Sequence, residues 1–338
     1  MSEPMRLKVE FCEHIGLCPG IRRGLRIFWK TLVYALATFR RVYYKNPPHE
    51  AMEMITSIVE KGIPVAEWHP GLSSRAIQVI TPFGGPKEAY EGPHADGTCV
   101  NVQNIRELAI KWHERGYRVI FVAEHNSSEI EFINTFIEGE GIVVADFEDA
   151  DVLDLNPQDK VVILGQSSFR RDLFKGIVEV IKGRFPDNEV KAIEALCPEI
   201  VRRVEEVKSR VFVAHKKVIE IPVFDDIHQL FPYDAVVMVG SFKSKQMSFM
   251  AIELAPIFCN VIWVENENGL GAEQFKPGQR ILIASGPEVT PGKLKRVRWR
   301  LLRLTSDDLA SAIDQADPCG DCIEKERCPR RQCKECKC

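Results

Sequence analysis

Short runs of apolar residues alternate along the chain with stretches in which apolar residues recur every three or four positions. The short runs are rich in Val and Ile and have the length of strands that are buried on both faces. They cover residues 76–81, 118–123, 160–165, 235–240 and 280–284. The stretches 102–115 and 173–185 have the 3.6-residue period of helices, and Gly116 and Gly183 stand near their ends, as glycine often does. This alternation predicts an α/β protein with parallel sheets covered by helices.

Small or polar residues follow each of these predicted strands. The segments that follow are 82–85, 124–129, 166–168, 241–244 and 285–288. Loops are commonly polar whatever their role. Ligands of parallel sheets, however, bind beyond the carboxyl ends of the strands. Five such segments in succession therefore favour a shared binding face.

Length, composition and charge place the chain among soluble globular proteins. A chain of 338 residues predicts two or three compact units. With 45% apolar and 28% charged residues, disorder is excluded as the main state. The charge sum of −3 provides no general field for nucleic acid or membrane, and we expect neither as a partner. The sequence shows no signal peptide, and its most apolar run, 27–39, is too short to cross a bilayer, so we expect a cytoplasmic protein.

The chain has 11 cysteines, and six of them fall in the last 20 residues. These six are Cys319, Cys322, Cys328, Cys333, Cys336 and Cys338. Disulfides are rare in the cytosol, and two Cys-x-x-Cys pairs can supply four thiolates to one ion or cluster. We therefore predict that residues 305–338 form a cysteine-rich metal-binding tail. Zinc and a second iron–sulfur cluster both remain open, with iron–sulfur preferred, and disulfides or free thiols are the alternative.

Three other cysteines, Cys18, Cys99 and Cys197, each lie just before a predicted helix, and they are separated by 81 and 98 residues. Pro19 and Pro198 stand where a first helical turn accepts proline. The positive end of a helix dipole is expected to lower a thiol pKa, and thiolate is the form that binds iron. Three such thiolates could hold a four-iron cluster and leave one iron open. The alternative is three buried structural cysteines.

Motifs around these cysteines resemble, in order, those of the LytB/IspH family, the 4-hydroxy-3-methylbut-2-enyl diphosphate reductases. Segments 16–21 and 96–99 look like its Gly-Phe-Cys-Ala-Gly-Val and Asp-Ala-Thr-Cys motifs. Further segments similar to family motifs are 129–131, 166–168 and 239–241. The resemblance, which spans about residues 8 to 300, implies three pseudo-symmetric α/β lobes around a central [4Fe–4S] cluster on Cys18, Cys99 and Cys197. It places the lobes at 20–98, at 99–196, and at 1–19 together with 197–304.

The resemblance also implies a proton donor and its relay. Glu129 is the expected donor, and the hydroxyl of Ser167 is the expected relay, at a position where the family has threonine. Their alternatives are a solvated acid at a helix start and a helix N-cap before Phe169. A ferredoxin- or flavodoxin-like protein is the expected electron donor.

Most positions that would hold the family's diphosphate are replaced here. The expected substrate-binding residues are Lys45, Phe83, Ser127, Lys243, Ser244, Gln246 and Glu288, with Lys245 as a further possible cation. Only Ser244 keeps the family's residue. Phe83 and Phe242 predict a less polar cavity, although the lysines could equally be exposed surface residues. We therefore expect a small anionic substrate other than the family's diphosphate.

Three further features leave alternatives open. Residues 293–303 hold six basic residues and no acid, which predicts either a solvated helix face or a docking surface for an acidic electron donor or a nucleic acid. Cys12 is expected either to approach the site or only to pack against other residues. Cys259 is expected in the core. An insertion relative to the family is expected near residues 211–231.

Three functions fit these features. The preferred one is an iron–sulfur reductase with a changed substrate. The alternatives are the isoprenoid reductase itself with a divergent pocket, and a non-catalytic iron–sulfur sensor or binding protein.

Overall fold

The structure is a computed structural model, and it describes residues 7–44, 65–67, 76–211, 232–255 and 260–304. The predictions for Lys45, Cys259, the six tail cysteines and nearly all of the insertion lie outside the described residues, as does the side chain of Lys245.

Strands and helices alternate along the described chain. The strands are β1 (Lys8–Phe11), β2 (Arg41–Tyr44), β3 (Val65–Glu67), β4 (Ala76–Ile80), β5 (His94–Asp96), β6 (Tyr117–Val122), β7 (Ile142–Val144), β8 (Lys160–Gly165), β9 (Glu189–Ile193), β10 (Ala235–Val239), β11 (Val261–Val264) and β12 (Arg280–Ser285). The helices are α1 (Pro19–Ala37), α2 (Val100–His113), α3 (Ser128–Asn134), α4 (Phe147–Val152), α5 (Arg171–Arg184), α6 (Pro198–Val211), α7 (Lys245–Leu254) and α8 (Pro291–Arg303).

These strands form three small sheets of four strands each within the described residues. The first sheet has the order β3-β2-β4-β5, the second β7-β6-β8-β9 and the third β1-β12-β10-β11. Every pairing between these strands is parallel. The predicted fold class, α/β with small parallel sheets, is therefore confirmed. The exact lobe boundaries stay a prediction.

The five strands predicted from apolar runs are all present, and each bound lies within one residue of its prediction. They lie at or next to the middle of their sheets, where helices cover both faces. In β8, for example, Val161, Val162, Ile163 and Leu164 are completely buried. The helices predicted at 102–115 and 173–185 begin two residues earlier, at Val100 and Arg171.

The chain passes from sheet to sheet at three points. Strand β1 pairs with β12 in the third sheet, and the chain then leaves through α1 for the first sheet. It leaves the first sheet after β5 and the second sheet after β9. No helix within the described ranges is long and apolar enough to cross a bilayer.

Candidate functional site

A cysteine stands at each of these three passages between sheets. Cys18 is the N-cap residue of α1, Cys99 is the N-cap residue of α2, and Cys197 directly precedes α6. In each case the cysteine carbonyl accepts a helical hydrogen bond from the residue four positions later, at 2.9 Å, 2.9 Å and 3.3 Å respectively. The three cysteines therefore occupy equivalent positions at three helix N-termini.

The backbone N–H of each cysteine is held by the loop that follows a central strand. Cys18 donates to Pro287 O (2.8 Å) after β12, and Cys99 donates to Pro82 O (2.9 Å) after β4. Cys197 donates to Ser167 O (2.7 Å) after β8. Each cysteine is thus fixed by one loop at the carboxyl end of one sheet, where ligands of parallel sheets bind.

Close packing of α1 brings two of the thiols near each other. A Cβ atom added at Gly20 would lie 2.6 Å from Cys99 Sγ and 3.9 Å from Cys18 Sγ. One turn later, a Cβ atom at Gly24 would lie 2.5 Å from the ring of Pro82. The two glycines therefore let the backbone of α1 approach Cys99 and the loop that holds it.

The third thiol is joined to this pair through α2. Asn101, two residues after Cys99, donates from its side-chain amide to Cys197 Sγ over 3.3 Å. Nothing in the sequence indicates a role for Asn101, because its contact with a cysteine 96 residues away is visible only in the structure.

The expected lowering of the cysteine pKa values is wrong for two of the thiols. Burial raises the pKa of the Cys18 thiol to about 11, and the backbone N–H of Ile21 offsets only part of this rise. Burial also raises the pKa of Cys197, against the opposing effect of the N–H groups of Ile200 and Glu199. Desolvation of the thiolate therefore outweighs the helix N-terminus at both cysteines, and the positive charge of a bound metal group would favour the thiolate form.

Glu129 and Ser167 form a direct pair. The hydroxyl of Ser167 donates to Glu129 Oε2 over 2.6 Å, and its backbone N–H donates to Glu129 Oε1 over 3.0 Å. Glu129 lies in the first turn of α3 with 5% of its surface exposed, so the alternative of a solvated acid is wrong. Burial raises the pKa of Glu129, and the bonds from Ser167 oppose that rise. The N-cap alternative for Ser167 is also wrong, because α5 begins at Arg171 with Arg170 as its N-cap.

Two of the expected substrate-binding serines cap helices. Ser127 is the buried N-cap of α3 and accepts from the N–H of Ile130 over 3.4 Å. Ser244 is the buried N-cap of α7, accepts from the N–H of Met247 over 3.4 Å and donates to Gln246 Oε1 over 3.1 Å. Both hydroxyls, and the Gln246 carbonyl oxygen, are already engaged in local hydrogen bonds.

The other expected substrate residues differ in exposure. Phe83 is partly buried and follows Pro82, the residue that holds Cys99. Glu288 is buried at 8% exposure and follows Pro287, the residue that holds Cys18. Lys243 is exposed, and Phe242 is 58% exposed with its ring against Trp263. The expected contribution of Phe242 to a closed cavity is therefore wrong.

A cavity of about 160 Å³ opens beside Cys197 and Ser167. Helices α6 and α7 form its walls, and its apolar lining includes Phe169 and Phe249. An ion pair between Lys208 and Glu253 stands at its edge. Cys197 thus borders an open cavity.

Cys12, in contrast to the other three cysteines, does not begin a helix. It is buried at 3% exposure in the core between the third sheet and the helices α6 and α7, and burial raises its pKa to about 12. The packing alternative for Cys12 therefore agrees with its position.

The donor chemistry of the three cysteines fits an iron–sulfur cluster. Three thiols from three helix starts converge, and Gly20 leaves room beside Cys99 that any Cβ would fill. Within the described residues, no group of three or more His, Cys, Asp or Glu side chains has the spacing for a single metal ion. A cluster of several irons holds its cysteines farther apart than one ion does, since iron and sulfide lie between the thiolates.

Comparison with known proteins identifies the family of this chain. A family model described as "LytB protein" matches residues 9–219, which is more than half of the sequence. The chain belongs to the LytB family. Its curated relatives in the LytB family include a 4-hydroxy-3-methylbut-2-enyl diphosphate reductase of Aquifex aeolicus, 23% identical over 89% of this chain and 98% of that protein. Another, from Dictyoglomus thermophilum, is 24% identical over 57% of this chain and 67% of that protein.

Two solved structures share the fold. The E-1-hydroxy-2-methyl-but-2-enyl-4-diphosphate reductase of Plasmodium falciparum matches with a TM-score of 0.67 at 16% identity, over 86% of each chain. A structure described as (E)-4-hydroxy-3-methyl-but-2-enyl diphosphate reductase, the terminal enzyme of the non-mevalonate pathway, matches with a TM-score of 0.61 at 21% identity. That match covers 87% of this chain and 99% of the other. The LytB fold therefore extends well past residue 219 in this chain.

Proposed function

We propose that the chain is a [4Fe–4S]-dependent oxidoreductase of the LytB/IspH type that removes a hydroxyl group reductively from a small anionic substrate. The proposal depends on three cysteines that lie at helix starts and on a buried pair, Glu129 and Ser167. A hydrogen bond from Cys197 N–H to Ser167 O connects the pair to the cysteines. Cys18, Cys99 and Cys197 would hold the cluster. When bound, such a cluster supplies electrons and an iron with an open coordination site.

The reaction consumes two electrons and two protons, and it converts R–OH into R–H and water. The electrons come from an external donor of the ferredoxin or flavodoxin class. Glu129 supplies a proton, because burial keeps its carboxyl group protonated to higher pH than an exposed glutamate. The hydroxyl of Ser167 passes that proton on, since it lies 2.6 Å from the carboxylate and can donate on its other side to a leaving oxygen.

The substrate is proposed to differ from the diphosphate of the named relatives. The hydroxyl group of Ser244 already donates to Gln246, and Phe83 offers no hydrogen bond. Glu288 would bring a carboxylate close to an anion, which is unfavourable at a desolvated site. A smaller or less charged anion requires fewer hydrogen-bond donors than a diphosphate.

The second candidate is the activity named for the relatives, reduction of 4-hydroxy-3-methylbut-2-enyl diphosphate. The extent of the match favours it, since the alignment covers 98% of the Aquifex aeolicus reductase.

An anaerobic assay with dithionite and a viologen distinguishes the two candidates. The reconstituted full-length protein is expected to reduce the diphosphate weakly or not at all while its cluster accepts electrons. Turnover of the diphosphate at about 1 per second or faster, an ordinary enzymatic rate, would establish the second candidate instead. A cluster that reduces normally but turns over no hydroxylated anion in a substrate panel would favour a non-catalytic iron–sulfur protein.

The tail is proposed to bind a second metal group, either an iron–sulfur cluster that relays electrons or zinc. Its cysteine pairs support this proposal, because a short segment of this kind has no core of its own to fold around. Truncation after Asp317 is expected to remove metal from each chain while the core cluster signal persists. Equal metal content with and without residues 318–338 would refute the tail site.

A further inference from the structure

Arg203 is a buried cation next to the candidate cluster site. It lies on α6, the helix that begins after Cys197, and only 3% of its side chain is exposed. Its Nη2 donates to Gly16 O over 2.9 Å, and its Nη1 donates to Ser285 O and Gly286 O over 3.2 Å and 3.3 Å. One guanidinium therefore binds three carbonyl groups on two different loops.

These loops are the two that fix Cys18. Gly16 is two residues before Cys18 and has a φ of +78°, a conformation that glycine adopts without strain. Gly286 is followed by Pro287, whose carbonyl accepts the N–H of Cys18. Arg203 thus connects the loops of Cys18 to the helix that carries Cys197.

The charge of Arg203 is only partly compensated. Its one ion pair within the described chain is with Glu199, at 2.9 Å, and the Glu199 side chain is 17% exposed. Its Nε is buried and has no hydrogen-bond partner among the described residues. Burying a charged guanidinium costs free energy, because it removes the charge from water. A neutral donor could bind the same carbonyl groups at a lower cost.

We propose that Arg203 is a positioning residue of the cluster site, which holds the Cys18 loops against the Cys197 helix and supplies positive charge that favours the reduced cluster. The inference rests on the proposed cluster. A cluster with three thiolates becomes more negative when it accepts an electron, and reduction potentials of such clusters depend on nearby charge and hydrogen bonds. A buried cation therefore makes reduction easier.

Three substitutions separate charge from packing. Arg203→Gln removes the charge, and Arg203→Lys keeps the charge but replaces the planar fork by a compact ammonium group. Arg202→Gln is the matched control, because Arg202 is the neighbouring residue on α6 and is exposed. The core signal is defined as the one lost in Cys18→Ser. The readouts are an EPR-monitored redox titration of anaerobically reconstituted full-length protein and the rate of iron release to a chelator.

Arg203→Gln is expected to lower the ratio of reduced to oxidised core cluster at a fixed potential about tenfold, equivalent to a midpoint lower by about 59 mV for one electron. Arg203→Lys should remain close to wild type in potential but release iron faster, and Arg202→Gln should match wild type in both readouts. An unchanged midpoint in Arg203→Gln would overturn the proposal.

A protein that fails to hold the core cluster is interpreted separately. If Arg203→Gln holds no core cluster while its circular dichroism stays native, the positioning role is supported. If both Arg203 variants unfold, the residue is a structural core residue and the proposal is overturned. A wild-type chain that itself holds no core cluster would instead refute the proposed function.

Discussion

Ser167 donates two hydrogen bonds to the carboxylate of Glu129, one from its hydroxyl at 2.6 Å and one from its backbone N–H at 3.0 Å. The carbonyl of the same serine accepts the N–H of Cys197 over 2.7 Å. A single residue in the loop after β8, Ser167, therefore links a buried carboxyl group to the backbone of a candidate cluster ligand. This geometry would place the proposed proton donor, Glu129, next to the proposed cluster without making it a ligand.

Glu129→Gln should abolish turnover without removing iron. Glutamine can accept the bond from the Ser167 backbone N–H through its carbonyl oxygen and can donate from its amide to the Ser167 hydroxyl oxygen, but it has no acidic proton to transfer. Loss of a general acid of this kind costs about 100-fold or more in rate. Iron content and the rate of substrate reduction are measured on the same preparation. Equal rates in variant and wild type would rule out Glu129 as the donor.

The buried carboxyl group of Glu129 also makes stability depend on pH. Its pKa in the folded chain is raised above the ordinary 4.5, so the folded state holds the proton more tightly than the unfolded state. The stabilising contribution is complete below the ordinary value and is lost as pH rises through the folded pKa. Urea unfolding of metal-free protein should therefore show that Glu129→Gln gains stability relative to wild type as pH increases. A difference that stays constant with pH would contradict the raised pKa.

Single substitutions of Cys18, Cys99 or Cys197 by serine should each remove the core cluster. The expected readout is loss of the cluster EPR signal in all three variants, because a cluster held by only three protein ligands does not survive the loss of one. Cys12→Ala is the matched control, since Cys12 is a buried core residue that does not begin a helix. Unchanged iron in all three serine variants would refute the three-thiolate site.

Gly20→Ala should disturb the site through a single methyl group. The new Cβ would lie 2.6 Å from Cys99 Sγ, and overpacking of this kind costs about 1–3 kcal/mol of unfolding free energy. The variant should also load less iron. Gly183→Ala is the control, because Gly183 is helical with no atom within 4 Å of the added Cβ, and there alanine should raise stability by up to about 1 kcal/mol. Equal iron loading in both variants would show that Gly20 is not needed for access to Cys99.

The sequence predicted those parts of the fold that are buried on both sides. Strands such as β8 and β10 consist almost entirely of buried apolar residues, so they stand out as continuous runs. Strands β1, β7 and β9 were not predicted, and all three lie at sheet edges. The positions of β1 alternate between exposed and partly buried, β7 has only three residues, and β9 has no buried position. Helices α2 and α5 begin earlier than predicted, since their first turns lack the apolar period that marks their later turns.

The candidate site was predictable to the extent that it depends on position along the chain. Cys18, Cys99 and Cys197 share one local pattern, a cysteine before a helix, which the sequence shows directly. Arg203 and Asn101 reach loops or thiols that lie far away along the chain, and nothing in their local sequence indicates this. The predicted pKa direction was wrong for Cys18 and Cys197, because helix position is visible in the sequence and burial is not.

The most direct test of the central claim is Mössbauer spectroscopy of the anaerobically purified, ⁵⁷Fe-enriched full-length protein and its Cys99→Ser variant. Wild type is expected to contain a four-iron cluster in which one iron, lacking a cysteine ligand, differs from the other three. This component should be absent from the variant, while any iron in the tail remains. Identical spectra for the two proteins would contradict a cluster held by Cys18, Cys99 and Cys197.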